Sequence, residues 1–272
     1  MSLSVLTLNL WHDSGPWRQR CQRIGEWIDR LDPDLIGFQE VIDGDDYDQV
    51  AEILGARAYH CDFVKASPFW GEGKGSFGNA IASRWPITQR WPLVLPDRGD
   101  GETRAALGVA IDAPVGKLTF WCTHLHWKLH HGSVRERQVV ALAQEVIARR
   151  VRDGFPPIVV GDFNAEPDSD EIRFMKGTHS IGEKSVLFYD AWQVAGCDGP
   201  GTTWSNRNDY ARTALEPERR IDYIFSGYPL QNGLGHLEAC RVVCDDAAGG
   251  VWPSDHFGVY AEFCDQPSKE SD

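Results

Sequence analysis

The sequence predicts an α/β protein of two packed sheets with helices on the outside, and three observations lead there. The chain opens as β-α-β: an apolar run over 5–10, an amphipathic helical stretch, then a second apolar run over 35–38. Short apolar segments bounded by turn residues recur along the remainder, which is the pattern of strands. Only one other long helical pattern appears, so sheets must carry most of the core and helices cover their outer faces. A chain of 272 residues can bury a substantial core. One domain over 1–264 is expected, with a polar tail without ordered structure over 265–272.

Each element has a local reason. Trp17, Cys21, Ile24, Ile28 and Leu31 recur at helical spacing and form one apolar stripe. Asp32-Pro33 ends it, because proline disfavours helical geometry in the residue before it. A second helix is expected over 133–150, with Ser133 and Glu136 as a capping box. Val139, Leu142, Val146 and Ile147 would form its buried face, and Arg149-Arg150 would suit the negative end of its dipole. Strands are expected over 79–83, 107–111, 118–123, 158–161, 221–225, 238–243 and 258–263. Two long connections, 59–78 and 179–219, read as loops, and long loops in a compact domain usually carry function. Gly73, Gly75 and Gly78 match G-x-G-x-x-G, but no strand precedes them and a strand follows. The context of a dinucleotide-binding turn is therefore missing, and a hairpin or substrate-entrance loop fits better.

Composition narrows the function. Hydrophobic residues make up 42 %, with 11 Trp and 12 Phe, as in globular proteins. No stretch approaches the roughly 20 apolar residues of a membrane helix, so no transmembrane segment is expected. Residues 1–5 lack a basic leader and pass straight into a strand, so a cytoplasmic protein is expected. The 7 cysteines are scattered without zinc-site spacing and read as reduced thiols. Net charge is −13, with 27 basic against 40 acidic residues. Such a surface repels polyphosphate chains at long range and argues against a tight nuclease, although a site cation would offset this locally.

The chemistry concentrates at strand ends. Gly161-Asp162-Phe163-Asn164 follows the apolar run Pro157-Ile158-Val159-Val160. The glycine would let the chain turn as the strand ends. In extended geometry Asp162 and Asn164 would share a face, so a carboxylate and an amide would converge on one point. Other apolar runs end the same way: Leu6-Thr7-Leu8-Asn9, Ile36-Gly37-Phe38-Gln39-Glu40 and Phe120-Trp121-Cys122-Thr123-His124. Asp222 sits inside Arg220-Ile221-Asp222-Tyr223-Ile224-Phe225, and Ser254-Asp255-His256 precedes the last strand. Any one of these is an ordinary polar residue where a strand meets solvent. All of them together are not.

Asn9, Gln39-Glu40, Thr123-His124-Leu125, Gly161-Asp162-Phe163-Asn164, Ile221-Asp222-Tyr223 and Ser254-Asp255-His256 resemble, in order, the motif set of the endonuclease/exonuclease/phosphatase superfamily. That group includes pancreatic deoxyribonuclease, abasic-site endonucleases, inositol polyphosphate phosphatases, deadenylases and neutral sphingomyelinases. The resemblance runs from Leu6 to Phe263. It implies a four-layer α/β/β/α sandwich of two mixed sheets, with the site at one end of the sheets. It also implies a metal-dependent phosphoesterase, most readily a phosphodiesterase, attacking a phosphoester in line with an activated water.

By the same resemblance, Glu40 is the main metal ligand, with Asn9 and Asp255 completing or sharing the ion. Oxygen donors select hard cations, so Mg²⁺ is expected, with Mn²⁺ as the alternative. Asp162 would orient and deprotonate the water, and Asn164 would hold it or a phosphate oxygen. Asp222 would fix His256, which would stabilise the charged phosphorane, and His124 would touch the phosphate and help protonate the leaving group. Arg104 and Trp127 are candidate substrate contacts. His126 joins them because Thr123-His124-Leu125-His126 resembles the corresponding stretch of neutral sphingomyelinases. Trp11 stands where abasic-site endonucleases carry an acid, and Thr123-His124 replaces their tyrosine motif, which tilts the reading away from DNA repair. Three substrate classes remain: a small soluble phosphoester, nucleic acid, and a lipid head group reached by an apolar hairpin at Pro68-Phe69-Trp70. A catalytically dead binding module would have lost motif positions, and none is lost. A monomer is expected.

Overall fold

Alternation along the central strands divides the structure into layers. In the computed structural model, which describes residues 2–44, 47–68, 75–99 and 101–266, β1 (Ser2–Asn9) sends Leu3 and Val5 to one side and Leu6 and Leu8 to the other. The second strand, β2 (Leu35–Gly44), divides Leu35 from Ile36 and Phe38 in the same way. Period-two alternation with both faces apolar means both faces are covered. The inner face meets the other sheet, where Phe120, Ile158, Val160 and Ile224 complete the central core. The outer face packs against Ile24, Trp27 and Ile28 of α1 (Trp17–Leu31) and Val50 and Ile53 of α2 (Gln49–Leu54). Across the molecule, Val139, Leu142 and Val146 of α3 (Gly132–Arg149) and Ile172 of α4 (Asp170–Met175) cover Trp121, Val159 and Phe225 on the far face of the second sheet. The result is the expected four-layer sandwich.

The first sheet runs β12-β13-β1-β2-β5-β4, with β3 (Tyr47–Asp48) paired to β2. The second runs β10-β11-β9-β8-β7-β6. Their remaining strands are β4 (His60–Pro68), β5 (Ser76–Ser83), β6 (Ile87–Leu95), β7 (Arg104–Ala113), β8 (Gly116–His124), β9 (Ile158–Asp162), β10 (Tyr189–Asp190), β11 (Asp222–Ser226), β12 (Leu237–Val243) and β13 (Gly258–Cys264). Each sheet holds one parallel pair at its centre, β1 with β2 and β8 with β9. On one side of the sheets β1, β8 and β9 end at Asn9, His124 and Asp162, and Glu40 follows Gln39, the last residue of β2 paired with β1.

Several expectations change. The segment 59–78 is not one loop: β4 and β5 form a hairpin whose last described pair is Pro68↔Ser76. Its strand β4 lies at a sheet edge, where one covered face suffices, so its sequence lacks the continuous apolar run of a central strand. β6, also unexpected, is an edge strand too, and it tolerates Pro92 because its outer side makes no ladder hydrogen bonds. The segment 179–219 contains β10, α5 (Ala191–Ala195) and α6 (Asp209–Arg212). It is pinned by a bidentate pair in which the Arg220 guanidinium donates to Asp190 at 2.8 and 3.0 Å. The capping box at Ser133 does not form, because α3 starts earlier: the Val134 and Arg135 N–H groups already donate to the His131 carbonyl. Ile147 is exposed rather than buried. The glycine pattern at 71–78, the hairpin tip at Phe69-Trp70 and the tail beyond 266 lie wholly or partly outside the described residues. All seven cysteines are free, in line with reduced thiols. Among the described residues no helix is long and apolar enough to cross a membrane.

The two sheets approach closely beneath the site because Gly37 has no side chain. A Cβ there would stand 2.3 Å from Val160 Cγ2 and 3.2 Å from Cys122 Sγ. Gly37→Ala is therefore expected to overpack the inter-sheet core and lower unfolding stability by about 1–3 kcal/mol in urea titrations. An unchanged midpoint and slope would mean that the sheets are not in contact there.

Candidate active site

Strand register assembles the site. In the second sheet Asp162 pairs with His124 on one side and with Asp222 on the other, which sets an imidazole and two carboxylates side by side at the sheet end. All three are buried. From the first sheet, the Asn9 side-chain amide donates to Asp162 Oδ2 at 3.0 Å, so one hydrogen bond joins the sheets at the site. The Asn9 carbonyl oxygen of the main chain accepts from Ser254 Oγ at 2.7 Å, which seats the loop carrying Asp255 and His256. A buried arginine holds the facing loops. The Arg20 guanidinium donates to the carbonyls of Leu10, Trp11, His12, Ser14 and Pro253, tying 10–14 to the approach to Asp255. Its place on α1 gives a sequence reader only a polar residue beside the apolar stripe.

Local backbone geometry aims the side chains. Glu40 has φ 56, in the left-handed region, at the point where the β2–β5 register slips between Phe38 and Val41. A bulge there re-aims the side chain at the cavity. Asn164 also has a left-handed φ of 50, so it does not share an extended face with Asp162 as the sequence suggested. Instead its main-chain N–H donates to Asp162 Oδ1 at 2.8 Å, and both residues still reach the same cavity. Gly161 is needed less for turning than for proximity: a Cβ would meet the Thr123 carbonyl oxygen at 2.0 Å, where β9 lies against β8.

Asp162 is the convergence point. Its Oδ2 lies 3.5 Å from His124 Nε2 and 3.8 Å from His256 Nε2. On its other ring nitrogen, His256 Nδ1 donates to Asp222 Oδ2 at 2.9 Å. Asp162, His124 and His256 open onto a cavity of about 870 Å³ that Glu40, Asn164 and Asp255 also line, with Asp222 buried behind His256. Its walls carry Trp11, Phe77, Trp127 and Trp204 with the guanidiniums of Arg104 and Arg219. Trp127, half exposed at 51 %, and the buried Arg104 both line the cavity. His126 is not on the wall. It is fully buried behind it, with its ring 3.1 Å from that of His131 and its N–H donated to Gln138. Sequence reading gave no sign of Trp204, Glu216 or Arg219, which come from the segment taken as a loop.

The two histidines differ in charge. Burial works against the imidazolium of His256, but the Asp222 and Asp162 carboxylates outweigh it and hold its pKa well above the ordinary value. His124 goes the other way: burial, then the Arg104 guanidinium, hold it well below. Arg104 Nη1 lies 3.1 and 3.3 Å from the His124 ring nitrogens. A neutral His124 can donate a hydrogen bond but holds no spare proton for a leaving group. Asp162 is raised by burial and by Asp222, and Asp255 is raised by burial and by Glu40.

That excess of buried negative charge tests the site for a cation. Among the described residues, Asp162, Asp222 and His256 form a group with ligand atoms within 4.8 Å of one another. A charged His256 has no lone pair to offer, however, and it already neutralises its two acids. Glu40 and Asp255 face the same cavity, where burial and Glu40 raise the Asp255 carboxyl against the pull of His256 and Arg20. Their hard oxygens fit a divalent cation such as Mg²⁺. Asn9 Oδ1 accepts from the Trp11 N–H at 2.9 Å, which leaves one lone pair on it.

Residues 6–256 match the Endonuclease/Exonuclease/phosphatase family. The chain belongs to that family. Its similarity to individual members is distant. An uncharacterised protein of Caenorhabditis elegans is 23 % identical over 96 % of this chain and 91 % of its own length. The inositol phosphosphingolipids phospholipase C of Schizosaccharomyces pombe is 23 % identical over 82 % of this chain, which spans 59 % of that protein. Among solved structures, Danio rerio TDP2 complexed with single-strand DNA product aligns with TM-score 0.76 and 20 % identity, covering 97 % of this chain and 99 % of that one. The human Nocturnin catalytic domain with bound sulfate aligns with TM-score 0.73 and 21 % identity, covering 97 % and 93 %. At these identities the structures speak for the fold alone.

The opposed charge states give a direct expectation. In a metal-free NMR titration of the imidazole nitrogens, His256 should stay protonated above the ordinary value of 6.5, and Asp222→Asn should lower its pKa, because burial then acts with less opposition. His124 should stay neutral well below 6.5. Two histidines titrating together near the ordinary value would contradict the site electrostatics.

Proposed function

We propose that this protein is a Mg²⁺-dependent phosphodiesterase that hydrolyses its substrate by in-line attack of a water molecule. The observation that carries this reading is the convergence of Asn9, His124 and His256 on the Asp162 carboxylate, across one cavity from Glu40 and Asp255. Glu40 and Asp255 would hold the cation, with the remaining Asn9 Oδ1 lone pair completing the set. When bound, the ion supplies Lewis-acid polarisation of the phosphoryl group and stabilises charge on the departing oxygen.

The chain's own residues account for the rest. Asp162 takes the proton of the attacking water, while Asn164 and Asn9 fix its position. The His256 imidazolium, oriented by Asp222, donates to a non-bridging phosphate oxygen as negative charge builds there. Neutral His124 donates a second hydrogen bond, with the Arg104 charge behind it. Phosphoryl transfer asks for little beyond positioning and electrostatics, so these roles are sufficient.

A cavity of about 870 Å³ suits a small soluble phosphodiester, and the charge of −13 disfavours long polyanions. A lipid head group is the second reading. It is favoured by Trp127 and Leu129, each 51 % exposed, and by the likeness to a sphingolipid phospholipase C. A cytoplasmic, monomeric enzyme remains the expectation for either.

A hydrolysis panel of aryl phosphodiesters, sphingomyelin, inositol phosphates and single-stranded DNA and RNA separates these readings. Activity should vanish on chelation and return with Mg²⁺ or Mn²⁺. Asp162→Asn should lower turnover at least about a hundredfold, the usual worth of a positioned base. Full turnover after exhaustive chelation would sink the metal assignment, and a folded Asp162→Asn enzyme of near wild-type rate would sink the mechanism.

A further inference from the structure

Arg104 and Arg219 both line the cavity, but they stand in different company. Arg104 lies against His124, within the group around Asp162. Arg219 is mounted on another wall. Its main chain exchanges hydrogen bonds with Trp204 at 3.0 and 2.9 Å, an isolated antiparallel pairing. Its Cζ lies 6.0 Å from the Trp204 ring centroid, and the Trp204 ring in turn meets the edge of His256 at 4.9 Å. The guanidinium is thus one indole away from the catalytic imidazole.

Its surroundings are incomplete. The Arg219 side chain is only 6 % exposed, and Nη2 pairs with Glu216, which also lines the cavity and is 29 % exposed. The buried Nε–H has no partner among the described residues, and neither does the Trp204 indole N–H beside it. A guanidinium offers five donors, and a buried donor without an acceptor costs free energy. A cation kept this way, facing the cavity of a protein with net charge −13, has a reason to be there only if something anionic completes it. Glu216 is a partly exposed counter-ion three residues before Arg219, which a doubly bonded phosphate can displace.

Building on the hydrolytic reading above, we propose that Arg219 and Trp204 form a second anion subsite, which selects substrates carrying a phosphate in addition to the diester that is cleaved. Glu216 occupies this subsite in the substrate-free protein and competes with the second phosphate. The subsite therefore acts on binding and selectivity, while the chemical step stays with Asp162 and His256.

The test compares ligands that differ by one phosphate. Calorimetric affinities would be measured with Mg²⁺ for thymidine 5′-monophosphate and thymidine 3′,5′-bisphosphate. In parallel, kcat/KM would be measured for thymidine 5′-(4-nitrophenyl phosphate) and its 3′-phosphorylated counterpart. The wild type should prefer the extra phosphate in both series. Arg219→Gln should lower that preference about tenfold or more, through KM rather than kcat, as expected for loss of a charge-assisted bidentate contact. Arg219→Lys should restore part of it, and Glu216→Gln should raise it. A structural role for Arg219 would instead lower both members of each pair equally, and would not move in the opposite direction with Glu216→Gln. Turnover with no preference in the wild type, or a preference unmoved in Arg219→Gln, overturns the subsite and leaves the hydrolytic reading standing. Absence of turnover with the affinity preference shifting as described overturns that reading and leaves the subsite.

Discussion

The site depends on a buried chain of alternating charge, Asp222 to His256 to Asp162. The imidazole is held at 2.9 Å from one carboxylate and 3.8 Å from the other. Two carboxylates this deep in the protein would drive each other neutral, and a lone imidazole there would lose its proton. Together the two acids keep the imidazole charged, although burial and Asp222 still push the Asp162 carboxyl up to about 7. The arrangement also explains why His256 and His124, both beside Asp162, carry different charges. His256 has a second acid at its back, whereas His124 has Arg104.

Everything around that chain serves to bring the two sheets together at one end. The Asn9–Asp162 hydrogen bond crosses from sheet to sheet, and Ser254 on Asn9 places the loop that delivers His256. Gly37 lets Val160 and Cys122 close in beneath. Arg20 gathers main-chain carbonyls from both sides of the cavity floor, at a desolvation cost that lowers its own pKa to about 10. Four of the eight non-glycine residues with positive φ among the described residues, Trp11, His12, Glu40 and Asn164, line this cavity. Such conformations persist only where neighbouring contacts enforce them.

Much of this was legible in the sequence, for physical reasons. Central strands covered on both faces are continuous apolar runs, so β1, β2, β8, β9, β11 and β13 announce themselves, and polar residues at their ends stand out. Edge strands such as β4 and β6 do not, since one covered face leaves no such run. Strand-end reading named Asn9, Glu40, His124, Asp162, Asp222 and His256, of which strand register sets His124, Asp162 and Asp222 side by side. It did not find Trp204, Glu216 and Arg219, which depend on a long connection folding back through one isolated pairing. The resemblance to neutral sphingomyelinases also put His126 among the substrate contacts, but it is buried behind the wall, past the end of β8, where the Leu125 N–H bonds the Asp162 carbonyl.

If the charge chain is the working unit, its members cannot be removed independently. The decisive measurement is turnover of Asp222→Asn, His256→Ala and the double variant on one substrate at saturating Mg²⁺. Each single change should already disable the imidazolium, so all three variants should show similar residual rates, as coupled catalytic groups do. Losses that multiply in the double variant would mean that Asp222 and His256 act separately, and that the charge chain is not what the site is built around.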